Sequence, residues 1–177
     1  MNRTAARELA VRLCFALSEN PSDPGEFLRR AFDDEYYETL SGEDRLYAKK
    51  PAKKQLDYIT CVVTGVYENA PELDGYIQKY AVGWKYDRIS KTAATIMKIA
   101  MFEVLYMPDV PDNAAINEAV ELSKKYETPE TRSFINGILG SFYRSECCGG
   151  KSGHGGSENE AGQTTCETGS AERGQNV

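Results

Sequence analysis

A chain of 177 residues with 41% hydrophobic and 27% charged side chains has the size of one globular domain, or of two small subdomains sharing a core. No window approaches the roughly 18 consecutive apolar residues that span a bilayer, and the opening Met1-Asn2-Arg3-Thr4-Ala5-Ala6-Arg7-Glu8 lacks the apolar run of a secretory signal, so neither a membrane protein nor an exported one is expected. Five cysteines and a single histidine, His154, fit a reducing cytoplasm better than a disulfide framework. The formal net charge of −6 argues against indiscriminate binding to nucleic acid, although it leaves room for a local basic patch.

The elements follow from apolar spacing. Leu9, Leu13 and Leu17, with Ala6 and Ala10, recur at three- and four-residue intervals and predict a helix over residues 4–18. Asn20-Pro21-Ser22-Asp23-Pro24-Gly25 breaks it. Phe27, Leu28, Ala31 and Phe32 predict a short second helix, closed by Asp33-Asp34-Glu35. After a polar, basic segment, Leu56, Ile59, Val63 and Val66 with Tyr67 describe a third, with Pro51 at or before its first turn. Pro71-Glu72-Leu73-Asp74 opens a helix running to about Tyr80. Ser90 is placed to cap a long helix carrying Ala93, Ile96, Ala100 and Met107, which Pro108 stops. Pro111-Asp112 restarts the chain, with Ile116, Val120 and Ser123 on one face. Thr128-Pro129-Glu130 combines an N-cap, a proline at N1 and an acid in the first turn. The helix it opens shows Phe134, Ile135, Ile138, Leu139 and Phe142 on its apolar face.

No stretch alternates apolar and polar residues between hairpin turns, so no strand is needed. The expected fold is all-α, about seven helices over residues 1–145, in two small bundles of about 3–69 and 70–145. Residues 146–177 hold eight glycines and no aromatic, Leu, Ile or Met residue, too little apolar surface to offset backbone ordering. A disordered tail is expected there.

Catalytic patterns are missing. There is no phosphate-cradling G-x-x-x-x-G-K-[ST], no G-x-G-x-x-G after a strand, no H-E-x-x-H and no G-x-S-x-G, so no enzyme and no cofactor are expected. Cys147, Cys148, His154 and Cys166 do not fit ordinary zinc spacing, and no metal site is assigned. Cys14 and Cys61 sit on apolar helix faces and read as small core residues. Glu103 falls on a mostly apolar helix. Its plainer reading is a carboxylate hydrogen-bonded to a neighbouring helix, its sharper one a raised-pKa acid or a partner anchor.

What remains is binding. Arg3, Arg7 and Arg12 stud the first helix, and Arg45-Leu-Tyr-Ala-Lys49-Lys50-Pro-Ala-Lys53-Lys54 carries five positive charges and no acid. Such runs are usually solvated surface, but they can also hold phosphates through counterion release. Phe15, Tyr80, Phe134 and Tyr143 could stack on splayed bases, or serve simply as core.

Four blocks, in order, carry a resemblance: Trp84-Lys-Tyr-Asp-Arg-Ile, Ile96-Met-Lys-Ile-Ala-Met-Phe-Glu103-Val-Leu, Ala115-Ile-Asn-Glu-Ala-Val-Glu-Leu-Ser-Lys-Lys-Tyr126 and Phe134-Ile-Asn-Gly-Ile-Leu139. With the opening Ala6-Arg7-Glu8-Leu-Ala-Val11, they make residues 3–143 resemble the NusB family of bacterial transcription antitermination factors. The resemblance implies two helical bundles and a non-enzymatic, cytoplasmic role. It implies pairing with NusE, a small-subunit ribosomal protein, binding of boxA RNA in ribosomal RNA leaders, and entry into the antitermination complex on RNA polymerase. By position, Arg3 and Arg7 match the arginine-rich start through which the family touches RNA, and Tyr80 and Phe134 match residues beside that surface. Asn117, Glu118 and Asn136-Gly137 match family-typical positions with mainly structural roles. The chain departs from the pattern at Thr4 and Ala5, where richer versions carry arginines, and in the extra basic residues Lys49 to Lys54. The alternative is a protein-interaction or homodimeric module with no RNA role of its own.

Overall fold

Helix follows helix through the computed structural model, which describes residues 1–42, 44–84 and 86–148. The elements are α1 (Arg3–Glu19), α2 (Pro24–Ala31), α3 (Asp34–Leu40), α4 (Lys53–Glu68), α5 (Ala70–Tyr80), α6 (Lys91–Tyr106), α7 (Asp112–Tyr126) and α8 (Pro129–Phe142). A 3₁₀ turn, Tyr86–Arg88, precedes α6, and a π-helical turn, Tyr143–Cys147, extends α8. Among the described residues there is no strand.

The caps are those the sequence calls for. Ser90 accepts the Ala93 amide at 3.0 Å, and Thr128 accepts the Thr131 amide at 3.3 Å, each satisfying a donor that a helix start leaves free.

Helix α6 is the axis of the fold. Ten of its residues are buried, from Ala93 through Glu103, and it packs on α1, α4, α5, α7 and α8. A helix that is apolar nearly all round has to be surrounded. One continuous core results, joining Leu9 and Leu17 of α1, Ile59 and Val63 of α4, Ile77 of α5 and Phe142 of α8. α4 approaches α6 closely at Gly65, where an added Cβ would lie 2.1 Å from Cζ of Phe102. α1 and α4 lie side by side. Arg3 sits over Tyr58, while Cys14 and Leu17 line a small cavity with Val63 and Val66.

Two features differ from the sequence expectation. The count is eight α-helices rather than about seven, because α3 carries no apolar period. Its one buried residue is Tyr37, packed 6.0 Å from the Phe32 ring and 5.6 Å from the Tyr47 ring. Tertiary contact makes this helix. Glu146, placed in the tail by the expected boundary at 145, accepts from Lys79 at 2.6 Å and from the Tyr80 hydroxyl. The disorder expected further along, and the residues His154 and Cys166, lie outside the described residues.

Replacing Gly65 with Ala should lower unfolding free energy by about 1–3 kcal/mol through overpacking against Phe102, despite the better helix propensity of alanine. Denaturant unfolding measures it, and unchanged or raised stability would refute the close α4–α6 approach.

Candidate nucleic-acid interface

The N-terminal turn of α1 presents its two arginines in opposite ways. Asn2 caps the helix by accepting the Ala5 amide at 2.8 Å, which fixes the starting direction of Arg3 and Arg7. Arg3 turns outward. Its guanidinium carbon lies 4.2 Å from the Tyr58 ring centroid and 3.6 Å from the Asp109 carboxylate, with 37% of the side chain exposed. A cation resting on an aromatic face keeps its other face available to an anion.

Arg7, one turn later, points into the protein and is 4% exposed. Its Nε donates to Glu103 Oε2 at 2.9 Å and one terminal nitrogen to Oε1 at 2.8 Å, a bidentate pair. The other terminal nitrogen donates to Glu118 at 3.1 Å. Glu103 is 0% exposed and also accepts from the Tyr58 hydroxyl at 2.7 Å. Burial alone would push the Arg7 guanidinium down, but its hydrogen bond to Glu103 and the charges of Glu103 and Glu118 hold it above its ordinary value. Burial, then the charge of Glu103, pushes the Tyr58 phenol up, so Tyr58 stays a donor. A phosphate could reach Arg7 only by displacing a carboxylate. The expectation that Arg7 grips RNA therefore does not match its geometry, whereas the plainer reading of Glu103 does.

Arg12 is also engaged, with Asp44 at 2.8 Å, Glu8 at 3.3 Å and the Tyr126 hydroxyl at 3.3 Å. Glu8 accepts from Tyr126 at 2.7 Å and from Lys125. Burial raises its carboxyl, but these donors outweigh it and hold Glu8 below the ordinary carboxylate range.

The two aromatics belong to α5 and α8. Tyr80 is half-buried, its ring edge-on to Phe142 at 6.3 Å, with the Lys79 ammonium 5.2 Å from its centroid. Phe134 is half-buried beneath Trp84, ring centroids 4.5 Å apart at 35°. Trp84 is 49% exposed and Val82 87%, on a turn that Gly83 makes possible at φ +81°. The outward aromatic surface here belongs to Trp84, which is not among the stacking candidates Phe15, Tyr80, Phe134 and Tyr143. The signal was the Val82-Gly83-Trp84 turn itself, which carries apolar side chains where polar ones are usual. Among the described residues, no group of His, Cys, Asp or Glu is placed to hold a metal, and no helix is long and apolar enough to cross a membrane.

An all-α scaffold that turns one guanidinium outward over an aromatic ring presents a surface on which an anion could rest. The NusB family profile matches residues 4–144. A transcription antitermination protein NusB of Ruminiclostridium cellulolyticum is 40% identical over 139 residues, covering 78% of this chain and 86% of that one. Its counterpart in Acetivibrio thermocellus is 41% identical over 140 residues, covering 79% and 87%. Among solved structures, T. maritima NusB superposes with a TM-score of 0.65 at 24% identity, covering 81% of this chain and 92% of that one. A chain from the complex of antitermination factors NusB and NusE with double-stranded RNA gives 0.63 at 20%, covering 81% and 96%. These two share the fold. The chain belongs to the NusB family.

Replacing Arg7 with Ala strands the Glu103 carboxylate in the core and should cost about 3–5 kcal/mol of stability. Arg3→Ala, at the surface, should stay within about 0.5 kcal/mol of the parent. Chemical denaturation of the two variants checks the contrast, and equal, small losses would contradict the buried pairing.

Proposed function

We propose that this protein is a transcription antitermination factor that binds boxA RNA of ribosomal RNA leaders together with NusE and joins the antitermination complex on RNA polymerase. What carries the reading is the match to curated antitermination proteins over nearly the whole helical part of the chain. The mechanism is assembly in the cytoplasm, with no catalytic step. Arg3 supplies the phosphate contact at the start of α1, oriented by the Tyr58 ring. Arg7 acts beneath it as a positioning residue, holding α1 on α6 and α7 through Glu103 and Glu118. Tyr80 and Phe134 border the surface, and Trp84 stacks outside Phe134. A chain with net charge −6 gains little from general attraction to RNA, which fits a factor that needs a protein partner for tight binding.

Filter binding of boxA RNA with and without NusE tests this. Arg3→Ala should weaken binding in the presence of NusE and lower the salt slope by about 0.7, the share of one phosphate contact on a single strand. Wild-type protein that retains no RNA in either condition would favour the alternative, an interaction or homodimeric module without an RNA role.

A further inference from the structure

The cations of the basic segment that runs into α4 take no part in the contacts described so far. Of its five cations, Lys50 pairs with Asp34. Arg45, Lys49, Lys53 and Lys54 are exposed, and among the described residues no carboxylate stands within ion-pairing distance of them. The arginines on α1 and α2 have carboxylate partners: Arg12 pairs with Glu8 and Asp44, and Arg29 and Arg30 share Glu26. In an acidic chain such a concentration of unpaired charge stands out as a local positive field.

Its location is set by the α4 register. Lys54 and Tyr58 are four residues apart on one helix, hence on one face with Cβ atoms about 5–6 Å apart. Tyr58 carries the Arg3 guanidinium on its ring. Lys54 therefore lies one turn from the ring that carries Arg3, with Lys53 next to it in the first turn of α4 and Lys49 on the approach to the helix. Asp57, the nearest acid along α4, pairs with neither lysine.

We infer that Lys53 and Lys54 form, with Arg3, a continuous phosphate-binding surface across the α1–α4 seam that takes the sugar-phosphate backbone of single-stranded RNA. The inference rests on the RNA-binding reading above and assigns it a second set of contacts. Arg7 is committed to Glu103, and Thr4 and Ala5 carry no charge. The lysines of α4 thus supply positive charge that the start of α1 lacks. A flexible ammonium acts as a point charge on phosphate and reads no base, so these contacts add affinity without sequence preference.

The test is fluorescence anisotropy with a short single-stranded RNA carrying boxA, across a salt series with NusE present. The double variant Lys53→Gln/Lys54→Gln should bind several-fold more weakly, with a salt slope about 1.4 lower. A scrambled RNA should lose affinity in the same proportion. Lys53→Arg/Lys54→Arg should keep the parental slope. Arg29→Gln/Arg30→Gln, with the same change in net charge on α2, should leave it unchanged, and circular dichroism should show all variants folded. If wild type binds and the Lys53/Lys54 glutamine variant keeps its slope, the inference is overturned while the RNA-binding reading stands. An equal loss in the α2 variant would also overturn it, by showing a general charge effect. If wild type binds no RNA, both readings fail together.

Discussion

Glu103 is a carboxylate with no exposure to solvent in the last turn of α6, the most apolar of the described helices. An isolated ionised carboxylate there would be prohibitively unfavourable. Its neutralisation therefore governs how the surrounding helices meet. Arg7 from α1 supplies the charge in bidentate form and Tyr58 from α4 supplies a further donor. Glu118 from α7 takes the remaining side of the guanidinium. Four helices are thus held in register by one charge cluster. Hydrophobic burial provides the bulk of the driving force, but it is non-directional, and this pairing adds a directional constraint between α1 and α6. Registry is a well-attested use of buried polar groups.

That constraint shapes the outer surface. With Arg7 drawn inward and Tyr58 fixed through its hydroxyl, the Tyr58 ring presents a face on which Arg3 rests. Tyr58 lies one turn beyond the first turn of α4. Buried pair and exposed cations form one construction: the first orients the helices, and the second uses the seam between them. The aromatic surface around Trp84 is built separately, from the Gly83 turn and the start of α8.

Much of the fold was legible in the sequence because local signals and global packing agree. Ser90 and Thr128 cap the helices they were expected to cap, and apolar spacing marked the faces that α1, α4, α6 and α8 bury. α3 was not legible, since seven residues with one buried side chain give no period, and Tyr37 owes its place to Phe32 and Tyr47. The site was less legible for a sharper reason. Arg3 and Arg7 are equivalent by composition and nearly so by position, yet their environments are opposite. What separates them is Glu103, 96 residues away in the chain, and no local pattern carries that pairing. The resemblance to NusB points to the start of α1, but position alone could not divide its arginines into one that faces solvent and one that holds the core.

The most direct measurement is arginine side-chain NMR of the ¹⁵N-labelled protein, free and then bound to NusE and boxA RNA. The Arg7 Nε–H should exchange slowly with water in both states and keep its chemical shift when RNA is added. The Arg3 resonance should exchange fast in the free protein and move on binding. An Arg7 signal that exchanges quickly, or that shifts with RNA while Arg3 stays still, would contradict the assignment of the two arginines to core and surface.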